Sequence, residues 1–216
     1  MKKITLLIIT ILVLMLSGCA TFKNKSDSFP SMYNQKPITI LTLPPINLST
    51  APEAKEYFMT TLSETVSESG YYFLPMEVTT PFLKAEGLYD TEIINEEVLP
   101  QFKEYFNADA VLITKIVEWD KSYYVVGGNV TVALDFALKS TSTGMDLWSY
   151  KGKIIYNTTA DTGNIFADLI VTAVSTAATD YVPIAKGINQ KVFKTIPVGK
   201  YHPRNNKDQT DQVRVQ

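Results

Sequence analysis

The chain has 216 residues, 20 basic and 22 acidic, for a formal net charge of −2, with one cysteine and one histidine. That balance argues against nucleic-acid binding and against electrostatic adhesion to anionic lipid heads. A lone Cys19, with His202 far away in a polar C-terminal stretch, excludes a disulfide and leaves no basis for a Cys/His zinc site or a Ser-His-Asp triad. No metal and no small-molecule cofactor is therefore expected.

The N-terminus opens on Lys2 and Lys3, runs through apolar residues from Ile4 to Leu16, and ends in Leu16-Ser17-Gly18-Cys19. A positive start, an apolar run and small residues before a cleavage point make a secretory signal. The run falls well short of the ~20 apolar residues a membrane span requires. With cysteine at its end the segment resembles a bacterial lipoprotein signal, which implies that residues 1–18 are removed and that Cys19 becomes the lipidated N-terminus. Loss of Lys2 and Lys3 leaves 18 basic against 22 acidic residues, net −4. Anchoring would then come from acyl chains, worth ~0.8 kcal/mol per buried CH₂. Ala20, rather than Asp, follows the cysteine, so the inner-membrane retention signal of enterobacteria-like envelopes is absent and the outer membrane is expected.

Residues 19–36 read as a flexible polar tether and residues 196–216 as a disordered polar tail, leaving 37–195 as a single α/β domain. Pro37-Ile38-Thr39-Ile40-Leu41-Thr42-Leu43 reads as a buried strand stopped by Pro44-Pro45. Thr50-Ala51-Pro52-Glu53 matches a capping box, and the helix after it carries Ala54, Phe58, Leu62 and Val66 on one stripe, with Gly70 as a left-handed cap. Tyr71–Leu74 is a second strand. Thr80-Pro81 opens a short helix closed by Gly87, and Leu99–Phe106 forms another ended by Asn107. In the strand Ala108–Trp119, the run Ala110-Val111-Leu112-Ile113 implies that both faces are covered. Two alternating strands follow, with Val130, Val132, Leu134, Phe136 and Leu138 in one and Trp148, Tyr150, Ile154 and Tyr156 in the other, joined by a turn at Ser140–Gly144. Asn164 to about Ala178 is helical, and Pro183 separates it from a last helix through Phe193. The order β-α-β-α-α-β-β-β-α implies an α/β sandwich, a mixed sheet with helices packed on it.

Candidate chemistry is sparse. Adjacent Glu96 and Glu97 point to different faces, so a solvated helix start is a better reading than a paired acid/base site. Asp109 reads as a turn residue, and Asp135 as exposed on the small-residue face of its strand. Gly127-Gly128 lacks both the P-loop Lys-Ser/Thr and the dinucleotide spacing, so it reads as a bend or bulge. The aromatics of the meander have two readings: ordinary sheet packing, or a partner surface made of Tyr123, Tyr124, Trp148 and Tyr150. Asn157, Thr158, Thr159, Asp161 and Asn164 would supply its polar rim. The alternating hairpin also fits a transmembrane barrel hairpin, although lining one face of a domain is the commoner cause.

Ile40 to Thr50 with its Pro-Pro-x-Asn-x-Ser segment, Gly70-Tyr71-Tyr72 with Pro75, and Ala108-Asp109-Ala110-Val111-Leu112 together resemble a family of bacterial proteins classed as lipoproteins. That family has no established activity and includes a meningococcal genome-derived surface antigen; the likeness runs from the signal to about Phe193. More loosely, Ala108-Asp109-Ala110 and Thr143-Gly144-Met145-Asp146-Leu147-Trp148 are similar to curli-secretion pore lipoproteins, to the N-terminal domain of the Tol beta-propeller protein, and to the fold type of lipoprotein activators of cell-wall synthases. The resemblance implies a strand–helix sandwich used for contacts, with no catalytic residue to carry over. The expected function is therefore a non-enzymatic interaction or assembly module of the cell envelope. It would be held at the outer membrane by the N-terminal lipid, face the periplasm, with exposure at the cell surface as the alternative, and contact envelope proteins or itself. A subunit of a secretion or transport complex, and a carboxylate-based hydrolase, are the alternatives.

Overall fold

The computed structural model describes residues 22–88, 90–123, 128–157 and 181–214. Cys19 and the lipobox, Tyr124, Gly127, the Thr158–Asn164 loop and the helix expected over Asn164–Ala178 lie outside them. The elements are β1 (Phe22–Asn24), α1 (Lys25–Ser28), α2 (Pro30–Gln35), β2 (Thr39–Thr42), β3 (Ile46–Asn47), α3 (Ala54–Glu68), β4 (Tyr72–Leu74), α4 (Met76–Ala85), α5 (Leu99–Phe106), β5 (Ala110–Tyr123), β6 (Gly128–Ser140), β7 (Asp146–Asn157), α6 (Val182–Phe193) and β8 (Gln212–Arg214).

One sheet runs β4-β2-β5-β6-β7, with β3 beside β5. β2 is parallel to β4 and β5, and β3 is parallel to β5. Pro44-Pro45 has no N–H to give a ladder, so the edge breaks there and resumes two residues later. β5, β6 and β7 form the antiparallel meander, with bulges at Ile116/Glu118 and Leu138/Lys139. The fold is thus the mixed-sheet α/β domain that the element order implies.

Two cores explain the hydrophobic pattern. Ile40, Ala110, Leu112, Ile116, Val132, Leu134, Phe136 and Leu138 face α3 and α6, where Phe58, Leu62, Val66, Ile188 and Val192 are buried. On the opposite side, Leu41, Leu43 and Val111 meet Leu83, Leu99 and Phe102 of α4 and α5. Covering on both sides is why Ala110–Ile113 is continuously apolar. The alternating positions Thr131, Ala133, Asp135, Ala137 and Lys139 are only partly covered. That face is laced by Lys151–Asp135 (3.3 Å), Lys153–Glu118 (2.8 Å) and Lys139–Asp146 (2.8 Å). One packed face and one charged face account for the alternation of this hairpin, and its inward residues lie against helices.

Several local expectations need correction. The capping box does not form: α3 starts at Ala54 without a side-chain cap. Asn47 and Ser49 close the loop instead. Asn47 Oδ1 accepts from the Ser49 amide (3.1 Å) and hydroxyl (2.7 Å), and Asn47 Nδ2 donates to the Ala51 carbonyl (2.8 Å). This Asx-type turn gives the Pro-Pro-x-Asn-x-Ser segment a structural role. Glu53 turns away to Lys121 Nζ (2.5 Å). α4 begins at Met76 after Pro75 and carries Pro81 inside it. Gly70 (φ 83), Gly87 (φ 83) and Asn107 (φ 50) do adopt the left-handed caps.

The larger correction concerns both ends. Residues 22–36, expected as a tether, and residues 196–214, expected as a disordered tail, are folded onto the body. β1 pairs antiparallel with β8. The Lys25 amide donates to Asp211 O (2.8 Å), the Gly199 amide to Ser69 O (2.8 Å) and the Tyr201 amide to Gly70 O (2.9 Å). Polar composition hid the few residues that do the anchoring: Met32, Ile196, Val213, Lys25 and Asp208 are all buried.

Candidate interaction surface

Of the aromatic surface expected in the meander, Trp148 is core. Trp148 is 1% exposed. Its ring lies 6.0 Å from Phe136 and 5.4 Å from Phe193, and its Nε1 donates to Thr195 Oγ1 (3.2 Å). Trp148 therefore leaves the set of surface residues: α6 and the segment after it cover the face on which it sits. Trp119 is buried beside Tyr57, Phe58 and Tyr181, and Tyr156 is buried too. Tyr123 stands opposite Gly128 in the β5–β6 ladder, and Tyr124 lies outside the described residues. Tyr150 is half-buried, 6.5 Å from the Phe136 ring, and lines a cleft of about 310 Å³ with Lys23, Asp27, Ser28, Phe29, Lys151 and Arg214. Of the two among these four whose side chains are described, Trp148 is core and Tyr150 reaches an open surface.

What the structure assembles instead is a junction of the two termini. Lys25 is 4% exposed and Asp208 is fully buried. Lys25 Nζ lies 3.5 Å from Asp208 Oδ2 and donates to Ile196 O (2.7 Å). The same carboxylate oxygen accepts the Val198 amide (2.8 Å). Burial lowers the Lys25 pKa, and Asp208 opposes that fall. Around the pair, Tyr71 donates its hydroxyl to Pro197 O. Burial first, and the Asp208 carboxylate second, raise the pKa of both Tyr33 and Tyr71. Arg204 Nη2 pairs with Asp211 (2.7 Å) at the rim. A cavity of about 280 Å³ opens beside Tyr33 and Tyr71.

The other candidate carboxylates are occupied or dispersed. Asp109 is a staple rather than a simple turn residue: Oδ2 accepts the Ile38 (2.9 Å) and Thr39 (3.0 Å) amides, and Oδ1 accepts Lys103 Nζ (2.7 Å). Burial pushes its pKa upward, but these donors outweigh burial and hold it below the usual value. It ties α5 and the start of β5 to the start of β2. Glu96 reaches Lys139 at 3.4 Å on the surface. Among the described residues, no group of three or more His, Cys, Asp or Glu is placed to hold a metal ion.

Fold and surface together define a single α/β domain with a mixed sheet, helices on it and its own termini clamped together. The chain belongs to the family described as "Putative lipoprotein GNA1162-like", whose model matches residues 28–193. Membership in a lipoprotein family places the chain in association with the cell envelope. A curated relative, "Putative lipoprotein NMB1124/NMB1162" of Neisseria meningitidis serogroup B, is 30% identical over 142 residues. The match spans 66% of each protein, just under two thirds of the relative's length. The crystal structure of lipoprotein GNA1162 from Neisseria meningitidis superposes with a TM-score of 0.52 at 25% identity, covering 64% of this chain and 96% of that one. The PelC dodecamer from Paraburkholderia phytofirmans gives a TM-score of 0.44 at 15% identity over 73% of this chain and 87% of that one. Both partners of the terminal junction, Lys25 and Asp208, lie outside the span of the family match.

Proposed function

We propose that the protein is an outer-membrane lipoprotein, acylated at Cys19, whose body faces the periplasm and serves as a non-enzymatic interaction or assembly module of the envelope. The observation that carries this reading is the coincidence of Leu16-Ser17-Gly18-Cys19 with membership in a lipoprotein family. Ala20, in place of Asp, supports the outer over the inner membrane. The non-enzymatic half is supported by where the carboxylates went: Asp208 and Asp109 are committed to structural partners, and Glu96 and Asp135 to surface lysines. A deep cleft lined by paired acids would have supported the hydrolase alternative. The secretion-subunit alternative rested on the alternating hairpin, which the packed and charged faces of β6 and β7 explain without a pore.

The test is fractionation of envelopes from cells making the native chain or Cys19→Ser. The native protein is expected in the outer-membrane pellet, and the Ser variant is expected to leave it. Retention of both in the pellet to the same degree would defeat the anchor assignment. Crosslinking in intact envelopes, followed by pull-down, then tests the module assignment by the partners it recovers.

A further inference from the structure

Covalent geometry sets the distance between the lipid and the folded body. Cys19 and Phe22 are three peptide steps apart, a reach of at most about 11 Å in any conformation. From Phe22 onward the chain is held. β1 pairs with β8 through Phe22–Arg214, Lys23–Val213 and Asn24–Gln212. The Ser26 amide donates to Gln209 O (3.1 Å), next to the Lys25–Asp211 backbone bond and the buried Lys25–Asp208 pair. The body therefore has three peptide steps of slack between itself and the anchor.

Residues directly opposite in a ladder share a face, and successive residues alternate between faces. Val213 is 5% exposed, so its face of the β1–β8 ribbon packs inward. It does so on the α6 side of the sheet, where Val213 lines a cleft with Tyr150 and Thr195. Phe22, Arg214 and Gln212 belong to the other face, and all three are exposed, Phe22 at 59%. A single exposed apolar side chain is ordinary. This one stands at the described residue nearest in sequence to the acyl chains. It is paired with an arginine, and an aromatic body beside a long cationic side chain suits the layer between hydrocarbon and water.

We propose that the short link from Cys19 holds the outward face of the β1–β8 ribbon against the bilayer surface, so that the body is seated on the membrane in one orientation instead of swinging on a tether. The proposal rests on acylation at Cys19. Acyl chains hold that residue at the boundary of the hydrocarbon, and the head-group layer above it is on the order of 5–8 Å deep. Three peptide steps leave the Phe22 backbone within that layer or just above it, and the ring reaches back into it. Neutral head groups suffice, because chain length and apolar contact impose the seat, not the net charge. The seat turns α4 and α5, which cover the other side of the sheet, away from the bilayer.

The experiment uses the acylated full chain reconstituted in phosphatidylcholine vesicles, with one cysteine introduced at a time and a fluorophore attached to it. Phe22→Cys and Gln212→Cys put the probe on the outward face of the ribbon, one on each strand. Gln101→Cys puts it at an exposed position of α5, across the sheet. Aqueous iodide is expected to quench the α5 probe freely and to lose most of its effect on both ribbon probes. A nitroxide carried on the lipid head group should quench the ribbon probes instead. Inserting about a dozen Gly and Ser residues between Ala20 and Thr21 adds a root-mean-square reach of about 20 Å and should return iodide access to both ribbon probes. Thermal unfolding of each variant checks the fold, and the two ribbon positions read the same face independently. Ribbon probes as open to iodide as the α5 probe, or still shielded after the insertion, overturn the proposal. The native protein separates this reading from the anchor itself, because acylation blocks the Cys19 thiol. Native chain that takes up no fluorophore, combined with open ribbon probes, removes the seat and leaves the anchor standing. Uptake at Cys19 removes the anchor and the seat with it.

Discussion

Replacing Asp208 with Ala is the perturbation that probes the terminal junction most sharply. The carboxylate is fully buried, 3.5 Å from an ammonium that is itself 4% exposed. Its removal leaves Lys25 in the interior with the Ile196 carbonyl as its hydrogen-bond partner and takes the acceptor from the Val198 amide. Breaking a buried pair from one side typically costs about 3–5 kcal/mol, because an uncompensated charge remains. For a domain of this size each kcal/mol moves the melting midpoint by roughly 2–4 °C, so a fall of roughly 6–20 °C is expected. The sign of the pH response is also set. Burial holds the folded Lys25 pKa below 10.5, so between the folded value and 10.5 the unfolded chain binds more protons. Stability lost by Asp208→Ala should therefore be partly regained as pH rises through that window. Lys25→Met with Asp208→Leu removes both charges and should be more stable than either single variant with one charge stranded. Urea titrations of the native protein, Lys25→Met, Asp208→Leu and the double variant form the double-mutant cycle. A loss under ~1 kcal/mol for Asp208→Ala, or a double variant less stable than both singles, would refute the junction as a buried clamp.

Trp148→Ala should destabilise by about 3–5 kcal/mol, read by denaturant midpoint, because the ring is enclosed by Phe136 and Phe193. A stable Trp148→Ala protein that had lost self-association would instead return Trp148 to a surface. Gly70→Ala places a Cβ 2.5 Å from the backbone nitrogen of His202 at φ +83, so it should unseat the C-terminal segment and increase its proteolysis. Asp109 has a folded pKa below 3.8, so its contribution is present above that value and is lost as pH falls through the folded one. Asp109→Asn should therefore flatten the acid limb of a melting-temperature profile. Ending the chain at Gly199 removes Asp208 and β8 and should lower stability at least as far as Asp208→Ala does, measured by the same melts.

The sheet and its helices were legible because they are built on long, periodic patterns. The Ala54, Phe58, Leu62, Val66 stripe and the alternation of Val130 to Leu138 each bury one face, and period alone reveals that. The left-handed caps at Gly70 and Asn107 follow from residue type. The terminal junction was not legible. Lys25 and Asp208 lie 183 positions apart by number in polar segments, and each is buried against the other and against backbone partners of the C-terminal segment. Nothing in Asn205-Asn206-Lys207-Asp208-Gln209 distinguishes the one carboxylate that goes inside. Trp148 was placed on the surface for a related reason: composition counts Trp and Tyr, but only the path of α6 over the meander decides that Trp148 is covered. The capping box at Thr50 lost to Asn47 and Ser49, whose short side chains reached the loop backbone first.

The most direct test of the anchored-module assignment is the intact mass and N-terminal sequence of the protein purified from envelopes in detergent. A lipoprotein acylated at Cys19 gives a chain that lacks residues 1–18 and carries added acyl mass on its first residue. A chain still beginning at Met1, or one cleaved elsewhere with an unmodified Cys19, would contradict it.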